Sequence, residues 1–307
     1  MNYIFGVWQG RAGQRSARLS PALFVVYLLS MPIYCLVRLS DQQTWIGPST
    51  ALTAASLFAF SLTHCIETRG ARRSAFMLVI GFAVALTMEY LGSTYGWLFG
   101  HYDYTDRLGP RLLGKVPAII PIAWFMMLYP AWVTADLLVA QYATRRNAAQ
   151  CDAPRPRMPH LVLRIVIAAL AMTAWDLSLD PRMVADGNWV WQKDGAYFGI
   201  PLSNYFGWFV TSALIYCLWQ PIARDDFTFI PRPLISQFSI LNSQFLPVWA
   251  YVVTWLGESM ANAIFWGGPA VAAAVFVGMG LFGGPALLIM LRAGRLTQAQ
   301  AQPVCNS

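Results

Sequence analysis

Residues 161–180, LVLRIVIAALAMTAWDLSLD, form an apolar stretch that is about long enough to cross a bilayer. Two carboxylates, Asp176 and Asp180, lie near its C-terminal end. A charged group near the bilayer core costs several kcal/mol, so chains rarely place one there without a use for it. The i, i+4 spacing puts both carboxylates on one face of a helix. We therefore expect this helix face to carry the function.

The composition is that of an integral membrane protein. Hydrophobic residues make up 57% of the 307 residues and charged residues only 11%, whereas a soluble protein has roughly 25% charged residues. The net charge of +7 does not indicate nucleic-acid binding, because the basic residues lie between apolar stretches and form no patch interleaved with aromatic residues. The five scattered cysteines predict neither a disulfide framework nor a zinc site.

Apolar windows of about 19 residues predict the fold class. We predict an all-α, polytopic membrane helical bundle with about eight transmembrane helices, built as a single integral membrane domain over residues 1–307. The predicted spans are 19–39, 48–67, 74–98, 117–142, 160–180, 204–222, 244–265 and 268–292.

The basic residues predict how the chain is oriented in the cell membrane. Fifteen of the 21 basic residues fall in segments that are cytoplasmic if the N-terminus is inside. An even number of spans then predicts cytoplasmic tails at 1–18 and 294–307. The polar segment 143–159 is interpreted as a cytoplasmic linker between two four-helix halves.

Two outer connecting segments, 99–116 and 181–203, are rich in Tyr, Trp, Gly and Asp. An interfacial aromatic belt would account for the rings alone. Because carboxylates are interleaved with the aromatic residues, we expect these segments to fold back over the helix ends as a cap.

Glu89 is a further acid within a predicted span, with apolar residues on both sides. A carboxyl group in such surroundings is expected to stay protonated, and a neutral carboxylic acid is a proton donor. The alternative is that Glu89 holds helices together through hydrogen bonds. Asp176 and Asp180 can share one proton. We predict no metal site, because His64 and Glu67 are only two potential ligands.

Aromatic residues cluster toward the predicted outer side, together with Asn204. Aromatic faces stabilise a cation by about 0.5–2 kcal/mol each. The candidate binding residues are Tyr95, Tyr102, Tyr104, Trp124, Trp175, Trp189, Trp191, Tyr197, Phe198, Asn204 and Trp208.

The run from Glu89 to Pro130, EYLGSTYGWLFGHYDYTDRLGPRLLGKVPAIIPIAWFMMLYP, resembles the CruF-type carotenoid 1,2-hydratase family, whose members are often called carotenoid biosynthesis proteins. Three further runs are similar to the same family: DLSLDP at 176–181, NWVW at 188–191 and YFGIPLSNYFGW at 197–208. One departure is Lys115 in GKVP, where the family more often has GVP.

The resemblance implies a cofactor-independent hydratase. Such an enzyme adds water across the C1–C2 double bond at an acyclic end of a linear or monocyclic carotene and leaves a tertiary hydroxyl. The implied partners are a lycopene-like carotenoid, water and membrane lipid, with other enzymes of carotenoid synthesis as candidates. The resemblance gives only motif membership to Glu89, Asp103, Asp176 and Asp180.

This chemistry needs a proton donor, a site that tolerates a tertiary carbocation, and one admitted water molecule. We expect Asp176 or Glu89 to give the proton and Asp180 to position the water. Asp103 is expected to assist from the cap, and Asn204 to orient the water. A C40 polyene is about as long as the roughly 30 Å hydrocarbon core is thick, so its reacting end can reach the water boundary.

Three other interpretations remain open at this point. A membrane prenyltransferase would use DLSLD at 176–180 with Asp103 and Asp106 to hold Mg²⁺ and diphosphate. A carotene cyclase also begins with protonation of an alkene. A non-enzymatic transporter or lipid-binding scaffold would show inverted repeats and broken helices, and no repeat is evident.

Overall fold

The computed structural model describes residues 19–149, 158–223, 243–266 and 268–301, and within these ranges the chain forms eight α-helices. Six of the eight, α1 to α5 and α8, are long and apolar enough to cross a membrane. The helices are α1 (Ser20–Leu39), α2 (Gln43–Arg69), α3 (Ala71–Tyr95), α4 (Ile119–Ala149), α5 (Met158–Ala185), α6 (Leu202–Ala223), α7 (Leu246–Phe265) and α8 (Gly268–Ala301).

The predicted all-α class is confirmed, and each predicted span corresponds to one helix. Helices α6 and α7 are not among the candidate spans found within the described residues. The number of helices that cross the membrane therefore stays a prediction.

Two segment boundaries differ from the sequence prediction. Helix α4 continues to Ala149, and α5 begins at Met158, so part of the predicted linker 143–159 is helical. The reason is that 143–149 contains good helix formers and no proline. Helix α8 likewise continues to Ala301, into the predicted C-terminal tail. Residues 1–18, 150–157 and 302–307 lie outside the described ranges.

Helices α4 and α5 form the centre of the bundle. Helix α4 is the most buried of the six candidate spans, and it packs against α2, α3, α5, α7 and α8. Helix α5 packs against α4, α6, α7 and α8. Helices of the first four and of the last four therefore pack against each other at the centre of the bundle.

Pro130 in the middle of α4 has no amide hydrogen, so the carbonyl of Met126 loses its usual helical donor. The Ser61 hydroxyl on α2 replaces this donor, with its Oγ 2.8 Å from the Met126 oxygen. A buried carbonyl without a partner would cost free energy. The contact therefore satisfies α4 at the proline and fixes α2 against it.

Polar side chains lie inside the bundle at the end where α2 finishes. His64 Nδ1 lies 2.8 Å from the Tyr129 hydroxyl. Asp136 pairs with Arg164 at 2.6 Å and with Arg69 at 3.3 Å. These contacts join α2, α4 and α5, and they satisfy charges that would otherwise be costly to bury.

The other end of the bundle is covered by the two aromatic connecting segments. Helix α3 ends where Gly96 adopts a left-handed conformation with φ +68°. The chain then turns back, and the Phe99 ring packs over Gly92 and Gly207. A Cβ atom at either glycine would lie 2.7 Å from a Phe99 ring carbon, which is closer than real contacts allow. This close approach holds the segment after α3 against the bundle.

Four short strands lie in these segments. β2 (Arg111–Leu112) and β3 (Val116–Pro117) form a hairpin before α4. β1 (Tyr102–Tyr104) pairs in antiparallel fashion with β4 (Trp189–Trp191), so the two connecting segments are hydrogen-bonded to each other.

Gly92→Ala tests the close packing of Phe99. The added methyl group overlaps the ring, so we expect the free energy of unfolding to fall by about 1–3 kcal/mol. Thermal unfolding of the purified protein in detergent measures the effect. Gly47→Ala in α2 is the control: a Cβ there meets nothing within 4 Å, and the change should be neutral or stabilising by up to about 1 kcal/mol. Equal effects at the two glycines would contradict the packing argument.

The contact between Ser61 and Met126 gives a second test. Ser61→Ala leaves the carbonyl without a donor and should cost about 1–3 kcal/mol of unfolding free energy. In a Pro130→Ala background, the restored amide of residue 130 serves the same carbonyl, so the cost should be smaller. Identical costs in both backgrounds would show that the hydroxyl does not replace the missing donor.

Candidate active site

The pairing of β1 with β4 determines which cap residues face the bundle. Tyr102 lies opposite Trp191, and Tyr104 lies opposite Trp189. Side chains alternate along a strand, so both tyrosines are buried while Asp103 between them is exposed. The cap therefore presents two phenol groups, rather than a carboxylate, to the end of the bundle.

Glu89, near the end of α3, is 5% exposed and receives hydrogen bonds from three side chains. The hydroxyls of Tyr102 and Tyr104 donate to its Oε2, the second at 2.7 Å. The indole N–H of Trp124 on α4 donates to Oε1 at 3.0 Å. Glu89 thus joins α3, α4 and the cap.

The two tyrosines remain donors because of where they lie. Burial, and next the nearby Glu89 carboxyl, raise the pKa values of Tyr102 and Tyr104 above the ordinary range of a phenol. Both hydroxyls therefore keep their protons, and both supply hydrogen bonds to the acid.

Asp176 and Asp180 lie on one face of α5 and share a single amide. Asp176 is fully buried and Asp180 is 3% exposed. Asn204 on α6 donates one N–H to Asp176 Oδ2, at 2.7 Å, and the other to Asp180 Oδ2. Two oxygens bound to one nitrogen are no farther apart than two hydrogen-bond lengths. The predicted neighbouring pair is therefore present.

Tryptophan rings surround these acids. Trp124 and Trp208 are stacked, with ring centroids 4.0 Å apart and planes 12° apart. Trp175 meets Trp208 edge to face at 6.0 Å. Trp189 from β4 lies within hydrogen-bonding reach of Asp180. The acids are thus enclosed by ring faces and edges from α4, α5, α6 and the cap.

A small cavity, which we call the acid chamber, lies between Glu89, Asp180 and Asn204. Its volume is about 40 Å³. One water needs about 10–15 Å³ on this measure, so the chamber has room for two or three waters. The rest of its lining is apolar or aromatic. Asp176 does not line it and lies behind Asp180.

A much larger cavity of about 1180 Å³, which we call the apolar groove, adjoins the chamber. It lies between α1, α2, α4, α5 and α7. Five residues line both cavities: Ile120, Ala123, Trp175, Leu179 and Trp189. A long apolar molecule in the groove would therefore lie directly beside the acids.

Residues 24–281, most of the chain, match the family described as carotenoid biosynthesis protein. The chain belongs to this family. The match includes every residue of the acid chamber, and it confirms the family resemblance carried by the motifs at 89–130 and 176–208.

A relative within the carotenoid biosynthesis proteins is the bisanhydrobacterioruberin hydratase of Haloarcula japonica. It is 28% identical over 149 residues, which are 48% of this chain. The alignment spans 45% of the relative's own length, so it covers less than half of that protein. No solved structure matches the chain.

The structure brings most of the predicted site residues of this carotenoid biosynthesis protein together. Those that line the acid chamber are Glu89, Tyr102, Tyr104, Trp124, Trp175, Asp180, Trp189, Trp191, Asn204 and Trp208. Asp176 contacts the chamber only through Asn204 and Asp180.

Four predicted site residues lie elsewhere. Asp103 is exposed and accepts a hydrogen bond from Gln192. Tyr95 is 64% exposed at the end of α3, and Phe198 is 49% exposed in the turn before α6. The Tyr197 hydroxyl donates to the Leu177 carbonyl at 2.9 Å. These residues support the cap or face its surroundings, and they do not line the chamber.

The sequence did not indicate the purely hydrocarbon side chains of the site. Phe99, Ile120, Ala123 and Leu179 line the chamber, but none carries a polar atom that would draw attention to it. The sequence could have indicated two of them only through their neighbours, because Ala123 precedes Trp124 and Leu179 precedes Asp180. Both apolar residues lie inside the family-like runs.

Asn204→Leu tests whether the shared amide stabilises the two aspartates. Removing both N–H donors leaves two buried carboxyls unsatisfied, so we expect a loss of about 2–3 kcal/mol in unfolding free energy, measured by thermal unfolding in detergent. In an Asp176→Asn, Asp180→Asn background the loss should shrink, because no carboxylate then needs the amide. An undiminished loss would mean that Asn204 stabilises the fold through other contacts.

Proposed function

We propose that this protein hydrates the C1–C2 double bond at an acyclic end of a linear or monocyclic carotene without a cofactor. The observation that carries the proposal is the acid chamber: a water-sized space between two carboxyl groups, lined by aromatic rings and adjoining a large apolar groove. Family membership and a relative named as a carotenoid hydratase support the same class of substrate.

The number of protonated carboxyl groups at the chamber depends on the charges around it. Three carboxyl groups lie together, and among the described residues that line the chamber none is basic. Neighbouring carboxylates without a cation retain at least one proton between them. Glu89 already accepts three hydrogen bonds, which offset part of the free-energy cost that burial adds to a negative charge there.

We assign the retained proton to the aspartate pair, because its two carboxyl groups share one amide whereas Glu89 has three donors of its own. Asp176 Oδ1 is buried and receives no N–H or hydroxyl donor within the described part of the chain, and the neighbouring Asp180 carboxyl lies within hydrogen-bonding reach of Asp176. An ionised oxygen in that position would be costly, so the pair is more stable with one proton. Of the two aspartates, Asp180 lines the chamber and Asp176 does not. We assign Asp180 as the proton donor and Asp176 as the residue that positions it.

The reaction balances with these groups. Asp180 transfers its proton to C2 of the alkene, and the electron pair of the double bond forms the new C–H bond. The positive charge then lies on the tertiary carbon C1. Water in the chamber forms a C–O bond to C1 and gives its proton to the Glu89 carboxylate. That proton returns to Asp180 through chamber water, and the net change is the addition of one water.

Two features of the site stabilise the cation. The faces of Trp124, Trp175 and Trp208 supply about 0.5–2 kcal/mol each. The Glu89 carboxylate, held in place by three donors, is an organised negative charge close to the reacting carbon. A preorganised charge does not have to reorient during the reaction, so it lowers the barrier more than bulk solvent would.

The alternatives have less support in the geometry. The prenyltransferase interpretation needs Asp103 and Asp106 near Asp176, but both are exposed, and Asp106 pairs with Arg111 at 2.8 Å. A cyclase shares the protonation step, yet a water-sized space beside the acid favours capture by water. A transporter has no need of hydrogen-bonded acids around a space of that size.

The membrane arrangement is part of the proposal. We propose that all eight helices cross the cell membrane, because α6 and α7 pack among the six candidate spans. With both termini in the cytoplasm, the acid chamber lies near the outer surface. Water then reaches the chamber from that side, while the apolar groove stays at the depth of the lipid chains.

Substitution of the chamber acids tests the proposal. In a host that makes lycopene, the unaltered protein should yield pigments heavier by the mass of water, whereas cyclisation adds no mass. Asp180→Asn and Glu89→Gln should each lower hydrated product by about 100-fold or more, because each removes a proton-transfer group. Chromatography with mass spectrometry measures the products.

Asp103→Asn is the matched control. It is the same change as Asp180→Asn, made at an exposed side chain of the cap outside the chamber, so hydration should stay within about twofold of wild type. The assignment would be overturned if Asp180→Asn and Glu89→Gln kept full activity, or if Asp103→Asn lost as much activity as they do.

A further inference from the structure

The wall between the acid chamber and the apolar groove is uneven. Of the five residues that line both cavities, Ile120, Trp175, Leu179 and Trp189 have bulky side chains. Ala123 contributes only a methyl group. The wall is therefore thinnest at Ala123.

Ala123 is also close to the acids. The next residue along α4, Trp124, donates its indole N–H to Glu89. Ile120 and Ala123 are three residues apart, so they lie on one face of the helix. This face borders the groove on one side and the chamber on the other. A molecule that moved from the groove to Glu89 would pass the Ala123 methyl.

The groove has a mostly apolar lining and a charged mouth, and the ion pair of Arg182 with Glu258 also borders it. Along α1 it is bordered by residues from Tyr27 to Arg38, a distance of about 16 Å at 1.5 Å per residue. At the mouth, Arg38 pairs with Asp186. At the other end, the hydroxyls of Tyr27 and Thr254 lie 2.7 Å apart and satisfy each other. A hydrocarbon is thus accommodated between two polar boundaries, and the passage at Ala123 opens off its side.

We propose, building on the function proposed above, that a linear polyene lies in the apolar groove and that its end group enters the acid chamber past Ala123. Ala123 then acts as a specificity-determining residue that selects end groups by their width. A slender acyclic end passes the methyl group between the rings of Trp175 and Trp189. A cyclised end is broader and is held back.

Entry of the end group into the chamber and binding of the polyene in the groove depend on different residues, so the two steps can be tested separately. Ala123 is one of many residues that line the groove, so a larger side chain there narrows the passage and takes little of the groove's volume. We therefore expect kcat to fall while KM changes little. A larger side chain at Gly47, which lines the groove on α2, should instead weaken binding. A Cβ at Gly47 meets nothing within 4 Å, so this substitution can be made without a clash at its base.

The experiment uses the full-length protein in detergent with lycopene as the probe, for Ala123→Val, Ala123→Leu, Gly47→Phe and Ala55→Leu. We expect Ala123→Leu to lower kcat by about tenfold or more with KM within about twofold, and Ala123→Val to lie between it and wild type. Gly47→Phe should raise KM by about fivefold or more. Ala55 is exposed and lines neither cavity, so Ala55→Leu should match wild type.

Bound pigment, measured by its visible absorption, gives a readout that does not depend on hydration. Ala123→Leu should bind as much lycopene as wild type, which also shows that it is folded, and Gly47→Phe should bind less. Wild-type kcat in Ala123→Leu would overturn the passage, and undiminished binding by Gly47→Phe would overturn the groove. Binding that depends on Gly47 without any hydration by wild type would support the groove and overturn the proposed function.

Discussion

The site depends on a single constraint, which is that a carboxyl group buried at the end of α3 must find hydrogen-bond donors. Glu89 receives them from Tyr102, Tyr104 and Trp124. Two of these donors belong to the cap and one to the central helix α4. Satisfying one acid therefore fixes the cap on the bundle and closes the space above Asp180. Without these donors the acid would be costly to bury, and β1 would lose its side-chain hydrogen bonds to α3.

The three acids differ in how many hydrogen-bond donors they have. Donors are concentrated on Glu89, whereas Asp176 and Asp180 share one amide and have no basic neighbour among the described chamber residues. In the proposed mechanism, Glu89 therefore carries the negative charge and the aspartate pair keeps the proton. An acid and a base on opposite sides of a water-sized space are what alkene hydration requires.

The sequence predicted the helices and most of the acids and rings, because charges and tryptophans in an apolar background are conspicuous. It did not predict which face of the cap is buried, since that depends on the pairing of Tyr102 with Trp191, and so Asp103 was expected in the site. It named Asp176 or Glu89 as the proton donor, whereas the donor proposed here is Asp180, because spacing along a helix cannot tell which carboxyl borders a cavity. Ala123 and the groove were missed because both are defined by space between helices distant in sequence.

The most direct test of the central claim follows the oxygen and the hydrogen of water. Purified protein is incubated with lycopene and no added cofactor in ¹⁸O-labelled water, and separately in D₂O, and products are analysed by mass spectrometry. The account predicts one ¹⁸O atom in a tertiary hydroxyl at C1 and one deuterium at C2 for each end that reacts. Oxygen that does not come from water, or a product without deuterium at C2, would contradict protonation by a carboxyl group followed by capture of water.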